Sequence, residues 1–448
     1  MGGPYQSFGR ASPATRDALR AGEVVTLLKA GRAAPASLLA YGNGRSYGDT
    51  CQNREGRLID MRERNRIHSF DTRTGLLKAE AGTMLAEIID LAAPQGWFPA
   101  VVPGTRFVTL GGAIANDVHG KNHHRRGTFG CHVEALTLLR SDGTQHECRA
   151  DRDGDLFRAT IGGMGLTGLI LDATIRLMKV GSADVEERVT PFSSLDEYFD
   201  LAEEADAGNE YAVAWIDQLA GGLKAGRGLL MTANHACGGQ FRPAGKGRLS
   251  IPVQPPLNVL NGLSIRIFNQ LYRSAKGRKS GPHRTHYASY FFPLDGIRDW
   301  NRLYGPGGLF QHQSVVPEAA ARLAVPALLA AAREAGQASF LTVLKRFGAV
   351  PSPGLFSFPR AGYTLTLDFP NRGKKTLQLL ARLDEIAISA GGAVNPYKDA
   401  RMSAAVFAAS FPGWQALEHL RDPAFMSDFW RRTAMTLGSA GGLAAAAE

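Results

Sequence analysis

Long apolar runs are missing from this chain of 448 residues. No stretch reaches the roughly 18 apolar residues that a membrane-spanning helix needs, which excludes an integral membrane protein. The four cysteines are widely spaced and form no C-x-x-C pair: Cys51, Cys131, Cys148 and Cys237. A zinc ribbon, a redox dithiol and a disulfide scaffold are therefore unsupported. The first residues lack the apolar core of a secretion signal, so we expect the protein in the cytoplasm or peripherally on the inner membrane, with the periplasmic face left open.

Two common catalytic signatures are also absent. No G-x-S-x-G sequence occurs, so serine hydrolase chemistry has no support. His119, His123 and His124 lie close together, but no H-E-x-x-H glutamate accompanies them. A shared metal would require His119 and His123 on one helix, and Gly120 disfavours that helix. We predict no metal site.

Acidic residues are absent between Asp217 and Asp295. The same stretch carries eleven cations: Lys224, Arg227, Arg242, Lys246, Arg248, Arg266, Arg273, Lys276, Arg278, Lys279 and Arg284. Since the formal net charge is +10, the rest of the chain is close to neutral. A basic stretch favours an anionic partner such as nucleic acid, a phosphorylated substrate or an anionic membrane, or it is simply a solvated loop. No RNP-like aromatic pattern or helix-turn-helix signal occurs, so we predict no nucleic-acid partner.

The first ~180 residues read as an α+β unit with many glycine turns. Apolar periodicity predicts helices over 15–30 and over 84–93, the second with Thr83 as N-cap, and strands over 36–41, 57–61, 76–80, 133–139 and 167–177. Gly143 marks a hairpin turn after the fourth of these strands. The frequency of glycine, 52 residues, indicates tight turns and close approach of the backbone to a ligand.

A second α+β unit follows a stretch with little periodicity. Residues 240–285 combine proline, glycine and cations, and we interpret them as long mobile loops. The pattern then predicts strands over 287–295, 339–346 and 363–369, the last stopped by Pro370, and helices over 318–335 and 375–390, the last ending at Gly391.

Two glycine-rich segments are the clearest candidates for a binding site. The first runs from Gly42 to Asp49, and the second from Pro103 to Lys121. Glycines permit positive φ and let backbone N–H groups converge on anionic oxygens. Two such loops in one unit suit a flat molecule with two phosphates, that is, a dinucleotide. Alternatively, both are ordinary turns.

A third glycine segment, from Gly163 to Gly168, matches G-x-G-x-x-G. A Rossmann fingerprint follows a strand and opens a helix. Here a helical pattern precedes the glycines and a strand follows them, so the order is inverted. We therefore reject a Rossmann site.

Together these segments resemble the FAD domain of the vanillyl-alcohol-oxidase-type, or PCMH-type, flavoproteins. The resemblance continues through most of the chain, in GNGRSYGD, PGTRFVTLGGAIANDVHGKNHH, GGMGLTGLI, AWID, FFPLDGIRDWNRLYGPGGLFQHQ, SFLTVLKRFG, LDFP, YKDAR and DPAFMSDFWRR. It implies a two-domain α+β protein with an FAD-binding domain over 1–180 and an inserted substrate domain over 181–390, an antiparallel sheet flanked by helices. Residues 391–448 would return to the FAD domain.

The members that this chain resembles most oxidise C2 of a polyprenyl-phosphoryl ribofuranose to a keto sugar. A separate short-chain reductase then completes epimerisation to the arabinose form. The resemblance therefore implies a lipid-linked sugar phosphate as substrate, a reductase as partner enzyme and a peripheral membrane contact. The alternative is an aldonolactone or alditol oxidase that acts on a soluble sugar.

The resemblance also implies site residues. Those expected to contact FAD are Gly42, Asn43, Gly44, Arg45, Ser46, Tyr47, Gly48, Gly104, Thr105, Thr109, Gly111, Gly112, Asn116, Val118, His119, Gly120, Ile170 and Asn395. Those expected on the substrate side are Lys121, Trp215, Gln311, Gln313, Lys345, Thr364, Thr366 and Lys398. Lys398, His119 and Tyr47 are the catalytic candidates.

This chain departs from the family pattern at several positions. Thr366 stands where relatives have Cys, Thr364 where they have Asn, and Phe291 and Asn395 where they have Tyr. Covalently flavinylated relatives carry His where this chain has Arg45, so we expect non-covalent FAD.

Alcohol oxidation on a flavin needs a base for the hydroxyl proton. Lys398 is our candidate, because a lysine in a partly dry pocket has a lowered pKa. Asp399 argues the other way, since a structural ion pair with it would keep the ammonium charged. His119 orients the ring or the sugar. Lys121 and Lys345 bind phosphate or hydroxyl groups, or else are surface charges.

Overall fold

The structure is a computed structural model that describes residues 5–32, 37–245, 249–256, 258–278 and 281–438. Ala36, at the start of a predicted strand, and the cations Lys246, Arg248 and Lys279 lie outside the described residues.

Strands and helices alternate irregularly along the described chain. The strands are β1 Ala18–Arg20, β2 Leu38–Tyr41, β3 Arg57–Asp60, β4 Ile67–Asp71, β5 Leu76–Glu80, β6 Trp97–Pro99, β7 Val133–Leu139, β8 Gln145–Cys148, β9 Leu169–Lys179, β10 Val185–Phe192, β11 Tyr211–Ile216, β12 Gly228–His235, β13 Leu249–Ser250, β14 His283–Thr285, β15 Ile297–Arg298, β16 Leu309–Val316, β17 Thr342–Phe347, β18 Gly362–Pro370 and β19 Ala393–Val394. The helices are α1 Ala21–Lys29, α2 Leu85–Ala92, α3 Leu110–Ala115, α4 His123–Arg126, α5 Gly154–Thr160, α6 Leu195–Gly208, α7 Gly262–Gly277, α8 Tyr287–Phe291, α9 Glu318–Glu334, α10 Lys374–Ser389, α11 Ala404–Ser410, α12 Trp414–Leu420 and α13 Asp428–Trp430.

Two sheets organise the first part of the chain. A small parallel sheet has the order β1-β3-β2, and an antiparallel sheet has the order β4-β5-β9-β7-β8, with β6 also paired to β9. Alternating apolar residues of β5, β7 and β9 pack with α2 and α3 in one core. The strands predicted over 57–61, 76–80 and 133–139 are confirmed, and so is the turn at Gly143, whose φ is 85°.

Two local predictions in this part are wrong. The helix predicted from residue 15 begins only at Ala21, because Ala18–Arg20 pairs in parallel with Leu58–Asp60 as an edge strand. Thr83 is not the N-cap of α2. Met84 holds that position, where its backbone N–H donates to the Glu87 carboxylate at 2.8 Å.

An eight-stranded antiparallel sheet forms the second part, in the order β14-β10-β12-β11-β17-β18-β16-β19. Helices α6, α9 and α10 cover one face of it with a large apolar core. Side chains alternate between the two faces of a strand. Leu344 and Leu365 therefore enter the helix-covered core, whereas Lys345 and Thr366 face the other way. The predicted α+β class is confirmed.

The stretch predicted as loops over 240–285 contains a helix of 16 residues, α7. The Asn261 side chain caps it by accepting the N–H groups of Leu263 and Ser264. Its apolar residues recur every four positions on the outer face, opposite Ile265 and Asn269, so the usual inward-facing pattern is absent.

The strand predicted over 287–295 is instead a helical turn, α8, followed by a 3₁₀ turn. The consecutive aromatic side chains of this segment resemble a buried strand in sequence. Tyr287, Tyr290, Phe291 and Phe292 are all buried, because they surround one turn and pack against Phe98.

The C-terminal segment returns to the first part of the chain. β19 pairs with β16 at the edge of the large sheet, and Phe425 bridges Leu38 of β2. Arg432 joins Asp49 at 2.7 Å to Asp399 at 2.6 Å. Helices α11 to α13 pack with β2 and β3 in a common core.

None of the helices in the described ranges is long and apolar enough to span a bilayer.

Candidate active site

A cavity of about 780 Å³ lies between the glycine-rich loops, the open face of the large sheet and residues 395–398. Its wall includes both glycine segments identified in the sequence. The first part of the chain, the large sheet and the C-terminal segment therefore all contribute to one site.

The first glycine loop presents unpaired backbone donors to this cavity. From Asn43 to Tyr47, no backbone N–H donates to any residue that the structure describes. Gly44 has a φ of 59°, and a side chain on Gly42 would lie 2.4 Å from the Thr109 hydroxyl. Successive free N–H groups around a positive φ form an anion-binding concavity. This geometry fits the diphosphate of a dinucleotide.

The second loop supplies a wall without side chains. Thr109 caps α3 by accepting the N–H of Gly112 at 3.2 Å. Nothing lies within 4 Å of a Cβ built on Gly104, and Gly104 and Gly111 both line the cavity. Backbone free of side chains lets a flat ring approach closely. Both loops therefore fit FAD.

The Gly163–Gly168 segment also reaches the cavity, although it is not a Rossmann turn. Met164 with φ 55° and Gly165 with φ 74° line the wall between α5 and β9. The segment does not fit a Rossmann fingerprint, but its sequence GGMGLTGLI is part of the resemblance to the FAD domain. The inverted helix–glycine–strand order nevertheless places it beside Ile170, a predicted contact.

Gly48 does not line the cavity, in contrast to its predicted role. A Cβ on this residue would lie 1.4 Å from the carbonyl oxygen of Asp399. Gly48 is therefore needed where two backbones touch, and its contact is with the C-terminal segment.

Polar side chains meet on the open face of the large sheet because of strand register. Gln311 of β16 is opposite Asp368 of β18, and its Nε2 donates to Asp368 Oδ1 at 2.5 Å. Both residues are buried, and burial raises the pKa of Asp368. An unpredicted carboxyl group thus lies directly behind Gln311, which lines the cavity.

Lys398 does not pair with its chain neighbour Asp399, which has other partners. The Asp399 carboxylate accepts backbone N–H groups of Arg401 and Met402 and pairs with Arg432 at 2.6 Å. The alternative of a Lys398–Asp399 ion pair is therefore wrong. Burial lowers the pKa of Lys398, and the Asp368 charge partly offsets this.

A hydrogen-bonded chain fixes His119. Asn395 Oδ1 accepts the Tyr397 N–H at 2.9 Å, so its Nδ2 donates to Gln313 Oε1, also at 2.9 Å. Gln313 Nε2 must then donate to His119 Nε2 at 3.1 Å. This chain assigns the imidazole proton to Nδ1.

The Lys345 amine accepts a hydrogen bond from the His119 Nδ1–H group. Its Nζ lies 3.2 Å from His119 Nδ1 and donates to the Gly120 carbonyl at 3.4 Å. A lysine that accepts an N–H is a neutral amine. In agreement, burial and the nearby Lys398 and Lys121 charges hold the pKa of Lys345 well below its usual range.

Lys121 is not a surface charge. Its Nζ lies 4.1 Å from the centre of the Tyr290 ring and also contacts the Tyr290 carbonyl oxygen. Burial lowers the pKa of Lys121 to about 7, although the nearby charge of Glu187 opposes this shift. The surface-charge alternative is therefore wrong for both Lys121 and Lys345.

Two further predicted contacts lie behind the cavity wall. Gln313 is occupied by His119 and Asn395, and Thr364 accepts the other Gln313 amide hydrogen at 2.9 Å. They support His119 and do not reach the open space. Phe291, Thr366 and Asn395, where the chain departs from the family pattern, all line the cavity.

One end of the cavity is apolar and was only partly predicted. Besides Trp215, its wall includes Met231, Phe268, Tyr272, Phe340 and Leu341. Phe268 and Tyr272 belong to α7, so the failure to predict this helix hid them. Within the described residues, no three His, Cys, Asp or Glu side chains converge as metal ligands.

Comparison with known proteins agrees with this geometry. Residues 19–149 match the family described as FAD binding domain. The protein is an FAD-dependent oxidoreductase.

The relatives define the family more narrowly. The chain is 35% identical to decaprenylphosphoryl-β-D-ribose oxidase of Mycolicibacterium smegmatis over 449 residues, 95% of this chain and 96% of the relative. It is also 35% identical to an uncharacterised protein of Streptomyces coelicolor, over 78% of this chain and 99% of that protein. L-gulonolactone oxidase of Bos taurus is 30% identical over only 40% of this chain and 39% of its own. The chain belongs to the decaprenylphosphoryl-β-D-ribose oxidase family.

Proposed function

We propose that this enzyme oxidises the 2-hydroxyl of a polyprenyl-phosphoryl-β-D-ribofuranose to the 2-keto sugar. The observation that carries the proposal is the polarity of the cavity. Its wall combines free backbone donors, three half-buried lysines and an apolar cluster that includes Trp215, Phe268 and Leu341. A dinucleotide, a sugar phosphate and a lipid chain would occupy these three regions respectively. The name of the full-length relative supports the same substrate.

The cofactor-binding residues follow from the two loops. The N–H groups of Asn43 to Tyr47 would hold the diphosphate, and Gly104, Gly111 and Gly112 would lie against the rings. FAD, when bound, supplies the hydride acceptor for alcohol oxidation. Arg45 stands where a covalent linkage would need His, so the flavin is held without a covalent bond.

Lys398 is the proposed base. As a half-buried amine with a lowered pKa, it takes the proton of the substrate 2-hydroxyl on its Nζ. Asp368 tunes it from the opposite strand, and Gln311 holds Asp368 in place. Tyr47, whose ring centre lies 5.8 Å from Lys398 Nζ, closes this corner.

Lys121 and Lys345 are the proposed phosphate partners. Both are half-buried amines whose pKa values are lowered, so arrival of a phosphate dianion would restore their charge. His119, fixed by Gln313, orients the sugar between them.

The domain organisation proposed from the sequence is consistent with these roles of the cavity residues. Residues 1–180 would bind FAD, 181–390 the substrate, and 391–448 would complete the flavin site. The keto product needs a separate short-chain reductase to finish epimerisation to the arabinose form. Since the substrate carries a lipid, the enzyme works in peripheral contact with a membrane.

Absorption spectroscopy of the purified protein tests the proposal. We expect a two-band flavin spectrum that moves to the supernatant after acid precipitation. Under anaerobic conditions, polyprenyl-phosphoryl ribofuranose should bleach it. The matched control is Lys398→Met, which should bind flavin normally but bleach at least 100-fold more slowly.

Other outcomes would redirect the assignment. Flavin that remains in the pellet would contradict the non-covalent assignment. Bleaching by L-gulono-1,4-lactone but not by the lipid-linked ribose would favour an oxidase of soluble sugars. A protein that takes up no FAD would overturn the oxidoreductase assignment.

A further inference from the structure

Helix α7 rests on the large sheet with its polar face. Asn269 is 2% exposed and donates to Asp217 Oδ1 at 2.8 Å, and Lys276 pairs with Glu187 at 2.7 Å. Ile265 is the buried aliphatic residue of this face. On the edge of the helix, the Tyr272 ring lies 5.1 Å from the Trp215 ring of β11, so polar and aromatic contacts together hold the helix to the sheet.

The opposite face carries a stripe of large aliphatic side chains. Leu263, Ile267 and Leu271 are 70%, 54% and 66% exposed. Residues four apart lie above one another on a helix, so the three form one continuous ridge. Contiguous apolar surface of this kind marks an interaction site on a soluble protein.

Positive charge flanks this stripe. Arg266 and Arg278 are exposed and form no ion pair with any residue in the described ranges. Four other cations of the acid-free stretch are paired: Arg227 with Asp217, Lys276 with Glu187, and Arg242 and Arg284 with Asp184. The unpaired arginines therefore concentrate around α7.

The stripe borders the apolar end of the cavity. Phe268 and Tyr272, on the edge of the same helix, line that cavity. Across it, Ile297 and Arg298 also line the wall and pair with β13. Leu249 of β13 is 63% exposed. Exposed aliphatic groups thus lie on two sides of the cavity.

We propose that α7 is an interfacial helix that lies in the surface of an anionic membrane. Leu263, Ile267 and Leu271 insert among the acyl chains, and Arg266 and Arg278 contact the lipid headgroups. The apolar end of the cavity then faces the bilayer, so the lipid chain of the substrate can remain partly in the membrane. This inference rests on the proposed function for its substrate, but its docking surface is defined by the helix itself.

A membrane fits this surface better than a second copy of the chain. Self-association through α7 would bring Arg266 and Arg278 of both copies together without acidic partners, because residues 218–294 contain no Asp or Glu. Like charges brought together oppose association. An anionic membrane offers acyl chains to the aliphatic ridge and negatively charged headgroups to the two arginines.

Vesicle co-sedimentation of the FAD-loaded enzyme tests this inference. The probes are phosphatidylcholine vesicles with and without phosphatidylglycerol. We expect binding to the anionic vesicles and at least about tenfold weaker binding for Ile267→Glu/Leu271→Glu, since a charge replaces each buried apolar group. Arg266→Gln/Arg278→Gln should lose the preference for anionic lipid.

A matched control separates this stripe from exposed leucine in general. Leu323 of α9 is 82% exposed, and Leu323→Glu should bind vesicles as the parent enzyme does. An unchanged flavin spectrum in each variant shows that the fold is retained. Equal loss in Leu323→Glu, no vesicle binding by the parent enzyme, or a concentration-dependent dimer that the double Glu variant abolishes would overturn the inference.

A parallel assay keeps this inference separate from the proposed function. Bleaching of the flavin by a short-chain, water-soluble prenyl-phosphoryl ribofuranose needs no vesicle. Bleaching without vesicle binding would refute only the docking of α7, whereas vesicle binding without bleaching would refute only the proposed substrate.

Discussion

The pKa of Lys398, at the end of a 3₁₀ turn, depends on Asp368 of strand β18. Asp368 and Gln311 are register partners on β18 and β16, and the charge of this fixed carboxyl group acts on the Lys398 amine. The carboxylate attracts the ammonium form, whereas burial favours the neutral amine. The balance decides at which pH Lys398 can accept a proton.

Replacing Asp368 by Asn tests this balance. Loss of the carboxylate lowers the pKa of Lys398 further, so the base becomes available at lower pH. We expect the acidic limb of the pH profile of kcat/KM to move down by about one unit. Thr366→Val, which changes the same wall without changing its charge, should leave the limb in place. If the limb vanished together with the activity, Asp368 itself would be the base.

At the scale of residues, a site could be predicted from the sequence where it depends only on residues that are adjacent in the chain. The free donors of the Gly42–Tyr47 loop follow from its glycines. The prediction failed where strand register determines which residues are neighbours. The sequence LDFP indicates the end of a strand, but it does not show that Gln311 of another strand is the partner of Asp368. Asp399 adjoins Lys398 in sequence but binds Arg432 in the structure, since the backbone turns between the two residues.

At the scale of elements, helix α10 is linked to the segment that carries Lys398. Asp384 is 2% exposed, and its carboxylate accepts hydrogen bonds from His312 of β16, at 3.1 Å, and from Arg401. Burial alone would raise the pKa of Asp384, but these hydrogen bonds lower it on balance. The helix, the sheet and the C-terminal segment therefore meet at one carboxylate.

Asp384→Asn should loosen this junction. An arginine left without its buried partner costs about 3 kcal/mol of unfolding free energy. We expect flavin to be released at a clearly lower temperature, as followed by the rise of flavin fluorescence on heating. Glu385→Gln, at an exposed position of the same helix, should change the unfolding free energy by less than about 0.5 kcal/mol. Equal release temperatures for the two variants would show that the junction does not hold the site.

Elements were predicted where one face is buried in the usual way. The helix predicted over 318–335 and the helix predicted over 375–390 are confirmed within a residue at each end. α7 was missed because its aliphatic residues face outward, and α8 because its aromatic residues are buried all round. The apolar periodicity of a sequence predicts a helix when the apolar residues face the core. It fails for α7, where aliphatic residues face outward and a polar residue is buried.

On the scale of the whole molecule, the first glycine loop meets the C-terminal segment at Gly48. The contact with the Asp399 carbonyl joins the first glycine loop to the C-terminal segment, and Arg432 reinforces it from Asp49 to Asp399. The distance in sequence hides this contact, and the sequence analysis assigned Gly48 to the cofactor.

Gly48→Ala should open this contact. The added methyl would lie 1.4 Å from a backbone oxygen, so one of the two segments must move. We expect at least about tenfold weaker FAD binding, measured by titration of the apoprotein, because both segments line the cavity. Gly413→Ala, with nothing within 4 Å of the new Cβ, is the control and should bind FAD normally. Normal binding by Gly48→Ala would mean that the contact is not needed for the site.

The wall at Asn395–Lys398 also bears on biosynthesis. These residues leave the ribosome long after the glycine-rich loops, and after every strand of the large sheet. The flavin cavity is therefore completed only when most of the chain has been translated. FAD binding is therefore a late step of maturation, and FAD binds to chains whose synthesis is nearly complete.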